Sequence, residues 1–370
     1  MPTDPTHTTV AIAMSGGVDS SVAAALLRYE GYQVVGMMLR LWSEPGKAAE
    51  NRCCTLEASD LARSIAHRLG IPFHLIDASE AFRQTVVDYF INDYAKGRTP
   101  NPCLVCNRDI RWGVLWEHAR QLGADYLATG HYARLYHCAD GRVRLMRSAD
   151  ERKDQSYVLS RLTTAQLRHT LLPLGDYTKT EVRLLAREFG LPVAQRPDSQ
   201  DLCFLGGGDY RDFLRRHAPH TERPGPILDQ EGRRLGTHRG LAFYTIGQRK
   251  GLGIAAEHPL YVLAKDLARN ALIVGPKEAL GQRGLRAAEA NWITPPPPSP
   301  FRARVQIRAT ARPQPATVYV ENATHFRVHF DTPQRDITPG QAAAVYLDET
   351  CLGSGIITAG YALPASEETS

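Results

Sequence analysis

The stretch Thr9-Val10-Ala11-Ile12-Ala13-Met14-Ser15-Gly16-Gly17-Val18-Asp19-Ser20-Ser21-Val22 decides the reading of this chain. Residues 10–14 form an apolar run suited to a buried parallel strand, and Val22, Leu26 and Leu27 begin the apolar face of a helix. Between them, Gly16 and Gly17 let backbone N–H groups approach an anion at a helix N-terminus, where the dipole favours negative charge. The segment therefore predicts a phosphate cradle. The plainer alternative is a Gly-Gly turn in which Asp19 and Ser20 only cap a helix.

Better-known cradles fit poorly. The Gly-Lys-Ser/Thr ending of a P-loop and the third glycine of a dinucleotide fingerprint are both missing. Ser15-Gly-Gly-Val-Asp-Ser20 instead resembles the pyrophosphatase loop of enzymes that split ATP between its α and β phosphates.

The 370 residues suffice for two or three domains, and an apolar share of 43% is that of an ordinary globular chain. The sequence holds no apolar run of the ~18 residues that would cross a bilayer, and residues 1–9 lack the basic start and apolar middle of a secretion signal. A cytoplasmic protein without membrane attachment is expected. Net charge is +5, but Arg outnumbers Lys 37 to 7, which permits nucleic-acid contact because guanidinium groups suit phosphates and bases. Seven cysteines, an odd number, point to reactive thiols or a metal site rather than a disulfide framework.

From Val10 to about Leu127, strand-like runs alternate with amphipathic stretches that end on Gly31, Gly70, Gly97 and Gly123, the punctuation of successive βα units. Strands are predicted over 10–14, 33–41, 73–77 and 126–129, and helices over 20–30, 56–69, 80–96 and 110–122. The fold class that follows is α/β with a doubly wound parallel sheet. Ligands bind beyond the C-terminal ends of such strands, where both the 15–20 loop and Thr129-Gly130-His131 would lie. Further on, Gly, Pro and Arg become frequent between about Gly206 and Gly253, and residues 238–253 read either as an RNA-touching loop or as a surface hairpin. Short alternating strands over 301–307, 316–320, 326–330, 343–347 and 352–357 predict a C-terminal β-barrel. Pro295–Pro298 is either an interdomain linker or a loop inside that barrel. The domains expected are 1–206, 207–284 and 285–370.

Cys103 and Cys106 form a Cys-x-x-Cys in a Pro-rich loop read as feeding a helix that begins near Ile110, capped by Asn107 or Asp109. Cys106 would then lie near a positive helix end with Arg108 and Arg111 close by, surroundings that favour thiolate. Half of a zinc site, completed by Cys203 or by Cys53-Cys54, is the competing reading. Cys203 lies in the polar loop Arg196–Phe204, while Cys138 and Cys351 read as structural.

Six motifs in this order, Ser15–Ser20, Asn101–Asn107, Ala128–Arg134, Lys153–Tyr157, Asp198–Phe204 and Gly247–Gly253, resemble those of the tRNA-specific 2-thiouridylases, and the resemblance spans almost the whole chain. That family's fold is an ATP-pyrophosphatase-type α/β domain, a small central domain and a C-terminal β-barrel. The implied reaction replaces the C2 oxygen of a wobble uridine, in the tRNA anticodon loop, with sulfur at the expense of ATP. The resemblance implies nucleotide contacts at Ala13, Met14, Ser15, Gly16, Gly17, Val18, Asp19, Ser20, Leu39 and Gly130, with Mg²⁺ on the ATP and Asp19 as a candidate ligand. It makes Cys203 the carrier of a persulfide supplied by a sulfur-relay protein or cysteine desulfurase, and Cys106 the nucleophile paired with it. It also implies tRNA contacts at Asn101, Pro102, Cys103, His131, Lys153, Asp154, Gln155, Arg308, Ala309 and Gln341.

Cys103 departs from the family, many of whose members carry aspartate there. Cys103, Cys106 and Cys203 as ligands of a [4Fe-4S] cluster is therefore an alternative to the persulfide route. Two rival functions need fewer motifs: another ATP-splitting ligase, which needs no paired thiols, or a nucleotide- or RNA-binding redox sensor that releases no pyrophosphate.

Overall fold

The computed structural model describes residues 4–44, 55–197 and 202–362. Cys53, Cys54 and the Asp198–Asp201 part of the fifth motif lie outside the described residues. The strands are β1 Thr9–Ala13, β2 Gln33–Arg40, β3 Phe73–Asp77, β4 Tyr126–Ala128, β5 Arg134–His137, β6 Val143–Met146, β7 Thr170–Leu171, β8 Gly225–Leu228, β9 Arg234–His238, β10 Tyr261–Asp266, β11 Ala271–Gly275, β12 Gln282–Trp292, β13 Phe301–Gln306, β14 Gln314–Asn322, β15 His325–Gln334, β16 Ala342–Leu347 and β17 Thr350–Tyr361.

A five-stranded parallel sheet in the order β3-β2-β1-β4-β7 forms the first layer system. Alternate residues of β1 explain the layering. Val10 and Ile12 pack with the Val18–Tyr29, Leu56–Arg68 and Lys179–Glu188 helices. Ala11 faces the opposite way, into a core with Leu104, Trp112 and Leu115 of the 102–121 helix. Strand order reverses beside β1, so the loops after β1 and β4 diverge and leave a crevice at the carboxyl ends of the strands. The predicted strands of this sheet are all present, each within two residues of its expected limits, and the two-residue β7 was missed because it is too short to show a period.

The central region, absent from the strand predictions, is a four-stranded sheet in the order β10-β11-β8-β9. Its buried Ile227, Val262, Leu272 and Val274 join one apolar core with Phe82 and Phe90 of the 79–95 helix and Phe213 of the Tyr210–His217 helix. Residues 238–253 form no hairpin: a short turn at Leu241–Phe243 drives Leu241, Ala242, Phe243 and Tyr244 into that core. Four consecutive apolar side chains have no solvent face to offer, which is why the hairpin reading fails here.

Strands β12 to β17 close into a six-stranded barrel, β12 pairing with both β15 and β17. The alternation along β13 is the expected one, with Phe301, Ala303 and Val305 inside and Arg302 and Arg304 outside. Because β12 already belongs to the barrel, Pro295–Pro298 lies in a loop within it and not in a linker. A hairpin went unread in the sequence: β5 and β6 pair with each other, and β6 joins β17, extending the barrel sheet with residues from between β4 and β7. Cys138 closes that hairpin and Cys351 is fully buried where β17 meets β6.

Candidate active site

The loop after β1 has the shape of an anion cradle. Gly16 adopts φ +66°, and a Cβ there would sit 2.7 Å from the Ala58 carbonyl oxygen, so only glycine fits without displacing the neighbouring helix. Gly17 is the N-cap of the Val18–Tyr29 helix and contributes no side chain, leaving the first-turn amides to a ligand. Ser20 Oγ accepts the Ser15 N–H at 3.2 Å, and Ser21 Oγ donates to the Gly17 carbonyl at 2.7 Å, which fixes the turn from inside. Across the crevice, Gly130 follows β4 at van der Waals distance; a Cβ on it would lie 2.8 Å from Asp19 C and Ser20 N. The helix begins at Val18, two residues before its predicted start, because the cap is the glycine and not Ser20 or Asp19.

Asp19 is engaged differently from the magnesium expectation. Lys179 Nζ donates to both its oxygens at 2.7 and 2.9 Å, and Tyr132 OH donates to Oδ1 at 2.7 Å. A carboxylate paired in this way does not fit the role of a protein ligand for Mg²⁺ unless Lys179 withdraws, and no step is derived through it. From the other side, Arg196 donates to the Gly16 carbonyl at 2.8 Å. Tyr132 lies in the Ala128–Arg134 motif and Arg196 opens the polar loop of Cys203, but neither these two nor Lys179 carried a reading of contact with Asp19 or Gly16, because they come from distant segments that only the fold brings to the loop.

A cleft of about 310 Å³ opens over the cradle. Ala13, Met14, Ser15, Gly17, Val18, Asp19, Ser20, Leu39 and Gly130 line it, together with Arg111, His131, Lys153 and Gln155. Gly16 lies beneath, its carbonyl turned to Arg196. The expected nucleotide residues and part of the expected RNA set thus share one cavity.

His131 forms a buried floor. Burial, and then the adjacent Arg111 charge, hold its imidazole well below the usual histidine range, so it is neutral. Arg111 donates to its Nε2 at 3.1 Å, which leaves the proton on Nδ1 to be donated to Thr129 Oγ1 at 2.8 Å. The Trp112 ring lies against it with centroids 5.8 Å apart. A residue this enclosed reaches RNA poorly through its side chain.

The cysteine segment departs from expectation. Pro102–Val105, Cys106–Leu115 and Trp116–Gln121 run on as one helix, its middle part in π geometry, capped by Asn101, whose side chain accepts the Cys103 N–H at 3.1 Å. Asn before Pro is a strong helix start. Both thiols therefore lie on a helix, not in a loop before one, and neither Asn107 nor Asp109 is its cap. Asn107 is buried and donates to the Val158 carbonyl at 3.0 Å, while Asp109 holds Arg108 through two bonds of 2.7 and 2.8 Å. Cys106 begins the second turn, away from the bare amides, and the Arg108 charge beside it is compensated.

Cys103 is exposed, whereas Cys106 and Cys203 are half-buried and pack against the same apolar core. Phe204 anchors Cys203: its ring is buried among those of Phe90, Phe213 and Phe82, at centroid distances of 5.1, 5.5 and 6.0 Å. The Cys203–Leu205 turn then ends on Gly206 at φ +59°. Among the described residues, which leave out Cys53 and Cys54, no group of three or more His, Cys, Asp or Glu side chains is placed to hold a metal ion.

The remaining expected RNA residues fall into two places. Lys153 and Gln155 line the cleft, with Gln155 Oε1 accepting the Tyr132 N–H at 2.9 Å. The Asp154 carboxylate is taken up by Ser148 N–H, Arg147 and Ser156 at 3.0 to 3.2 Å, which makes it a structural clamp. Gln341 donates to the Thr99 carbonyl at 2.8 Å, and Thr99 N–H donates to Pro339 O at 2.9 Å, so the barrel holds the loop that carries Asn101, Pro102 and Cys103. Arg308 binds Thr338 and the carbonyls of Ile246 and Asp336 at 2.7 to 3.3 Å, joining barrel to central region, with Ala309 exposed beside it.

Residues 8–207 match the family described as tRNA methyl transferase HUP domain, residues 211–276 the tRNA methyl transferase PRC-barrel domain and residues 282–357 the aminomethyltransferase β-barrel domain. A tRNA-specific 2-thiouridylase MnmA of Moorella thermoacetica is 51% identical over 350 residues, covering 94% of this chain and 98% of the relative. The chain belongs to the tRNA-specific 2-thiouridylase family. Proteins of the same name from Roseiflexus castenholzii and Chloroflexus aurantiacus are 48% and 49% identical, again over 94% of this chain and 98% of each relative. The α/β fold with a C-terminal barrel is as expected. None of the described helices is long and apolar enough to cross a membrane.

Proposed function

We propose that this chain is an ATP-dependent tRNA-uridine 2-sulfurtransferase acting in the cytoplasm on the wobble uridine. The observation that carries the reading is the combination, within a member of this family, of a phosphate cradle with Cys106 and Cys203 seated on one apolar core. A uridine carbonyl oxygen leaves poorly. In the first step O2 attacks the α-phosphate, the O–P bond forms as the bond to pyrophosphate breaks, and the N3 proton passes to solvent. The amides of the cradle face the charge that develops there.

In the second step the terminal sulfur of a Cys203 persulfide adds to C2 and AMP departs with the former O2. Cys106 thiolate then attacks the Cys203 sulfur, forming a Cys106–Cys203 disulfide and releasing 2-thiouridine; reduction of that disulfide and a new persulfide from a sulfur-relay protein or desulfurase complete the cycle. In the variant route Cys106 frees sulfide from the persulfide first, and the sulfide attacks C2. Either way the uridine must leave its stack in the anticodon loop. Asn101–Cys103, Lys153–Gln155, Arg308, Ala309 and Gln341 are the proposed RNA-facing segments, Asp154 and Gln341 through what they hold in place.

The test is nucleoside mass spectrometry of unmodified tRNA incubated with the protein, Mg-ATP and a persulfide or sulfide donor. 2-Thiouridine that forms only with ATP, together with pyrophosphate, supports the reading. Pyrophosphate without a thiolated nucleoside favours a ligase, and neither product, with donor and tRNA shown competent, rejects the function.

A further inference from the structure

Arg111 lies in the cleft wall, and its surroundings orient its charge without cancelling it. NH1 donates to Asn107 Oδ1 at 2.9 Å and to His131 Nε2 at 3.1 Å, both neutral acceptors. Asn107 is itself fixed by Val158 O, and His131 by Thr129 and Trp112, so the fork is held from two buried sides. The carboxylate nearest in sequence, Asp109, is occupied by Arg108, and Asp19 across the cleft is occupied by Lys179. Held by neutral acceptors, its charge stays available to an anion, and it lines a cavity whose opposite wall is a phosphate cradle.

We propose that Arg111 is a catalytic residue whose guanidinium binds the α-phosphate during adenylation and the AMP leaving group during sulfur transfer, an assignment that rests on the function proposed above. Arg111 gives up no proton in either step. In the first it faces the non-bridging oxygens as the bond to pyrophosphate breaks; in the second it faces the phosphate oxygen that receives the electron pair of the breaking C2–O bond. Its position on the helix that also carries Cys106 places one cation in service of both half-reactions. Neutral His131 is the positioning residue: a charged imidazole would no longer accept from NH1.

The experiment compares the full-length wild type, Arg111→Met and Arg111→Gly, reading the kcat of tRNA-dependent pyrophosphate release, the ATP Kd and the thermal midpoint. Arg111→Met is expected to lower kcat on the order of 10²–10³-fold, the usual effect of removing one preorganised donor, with little change in midpoint. Methylguanidine added to Arg111→Gly is expected to restore part of the rate, which a purely structural role would not allow. A wild-type rate in Arg111→Met, or a loss that follows the unfolded fraction and resists rescue, overturns the assignment. Should Arg111→Met not fold, the rescue of Arg111→Gly at a temperature below its midpoint decides on the same readout. Absence of pyrophosphate and 2-thiouridine with wild type overturns the functional reading itself, and the assignment with it.

Discussion

Lys265 offers a measurement of how tightly the core behind Cys203 is closed. In β10 it stands opposite Leu272 of β11, and directly paired residues of an antiparallel ladder share a face, here the one on which Leu272 is fully buried. Its Nζ is out of contact with solvent and has no hydrogen-bond partner. Burial therefore pushes the ammonium down from 10.5 to about 7. Below pH 7 the lysine is charged in both folded and unfolded chains, and the folded state bears the whole cost. Between pH 7 and 10.5 the unfolded chain binds a proton that the folded chain lacks, so stability rises with pH through this window and falls again as pH is lowered. At about 1.4 kcal/mol per pH step, the cost at neutral pH is about 5 kcal/mol as an upper value. Lys265→Met keeps the length of the side chain and removes the charge. Unfolding of variant and wild type should be followed at pH 6.5, 8 and 9.5, and the difference taken so that other titrating groups cancel. The variant is expected to be more stable by several kcal/mol at pH 6.5, with the gap narrowing steadily to pH 9.5. A gap that does not change with pH, or a variant less stable than wild type, would refute the reasoning.

Lys179→Ala should weaken ATP binding roughly tenfold by releasing Asp19 from the cradle, with Lys179→Arg retaining most of it; equal Kd values by calorimetry would show that the pair is incidental. Gly130→Ala puts a Cβ 2.8 Å from the backbone of Asp19 and Ser20, so ATP affinity should fall at least tenfold while overall helicity by circular dichroism stays the same. Single Cys106→Ser and Cys203→Ser variants should abolish 2-thiouridine formation but still release pyrophosphate, whereas exposed Cys103→Ser should retain thiolation. Equal loss in all three, with iron in the anaerobically purified protein, would favour the cluster over the persulfide route.

The parallel sheet was legible because Val10–Ile12 and its neighbours carry a strong local pattern and each helix closes on a glycine such as Gly31 or Gly70 at positive φ. The cradle was legible for the same reason: its glycines, cap and strand are contiguous. What escaped depends on contacts between remote segments. Nothing near Asp19 announces Lys179, and nothing near Arg111 announces His131, although the basic residue itself had drawn notice as a neighbour of Cys106. The cysteine helix was misplaced because Cys-Leu-Val-Cys was weighed as a motif, when Asn101-Pro102 was the more informative local signal of a helix start. The β5–β6 hairpin was invisible because its pairing partner lies in the barrel.

That hairpin has a consequence for how the chain comes into being. When a ribosome has delivered the nucleotide-binding layers, β6 presents an open edge with buried-type residues Val143 and Leu145, and the strand that will cover it, β17, is the last made of the described strands. The earlier part of the chain must keep that edge unsatisfied until β17 arrives. A nascent chain cut short before β17 is a candidate for edge-to-edge association, and the completed barrel acts as the stopper that ends this exposure.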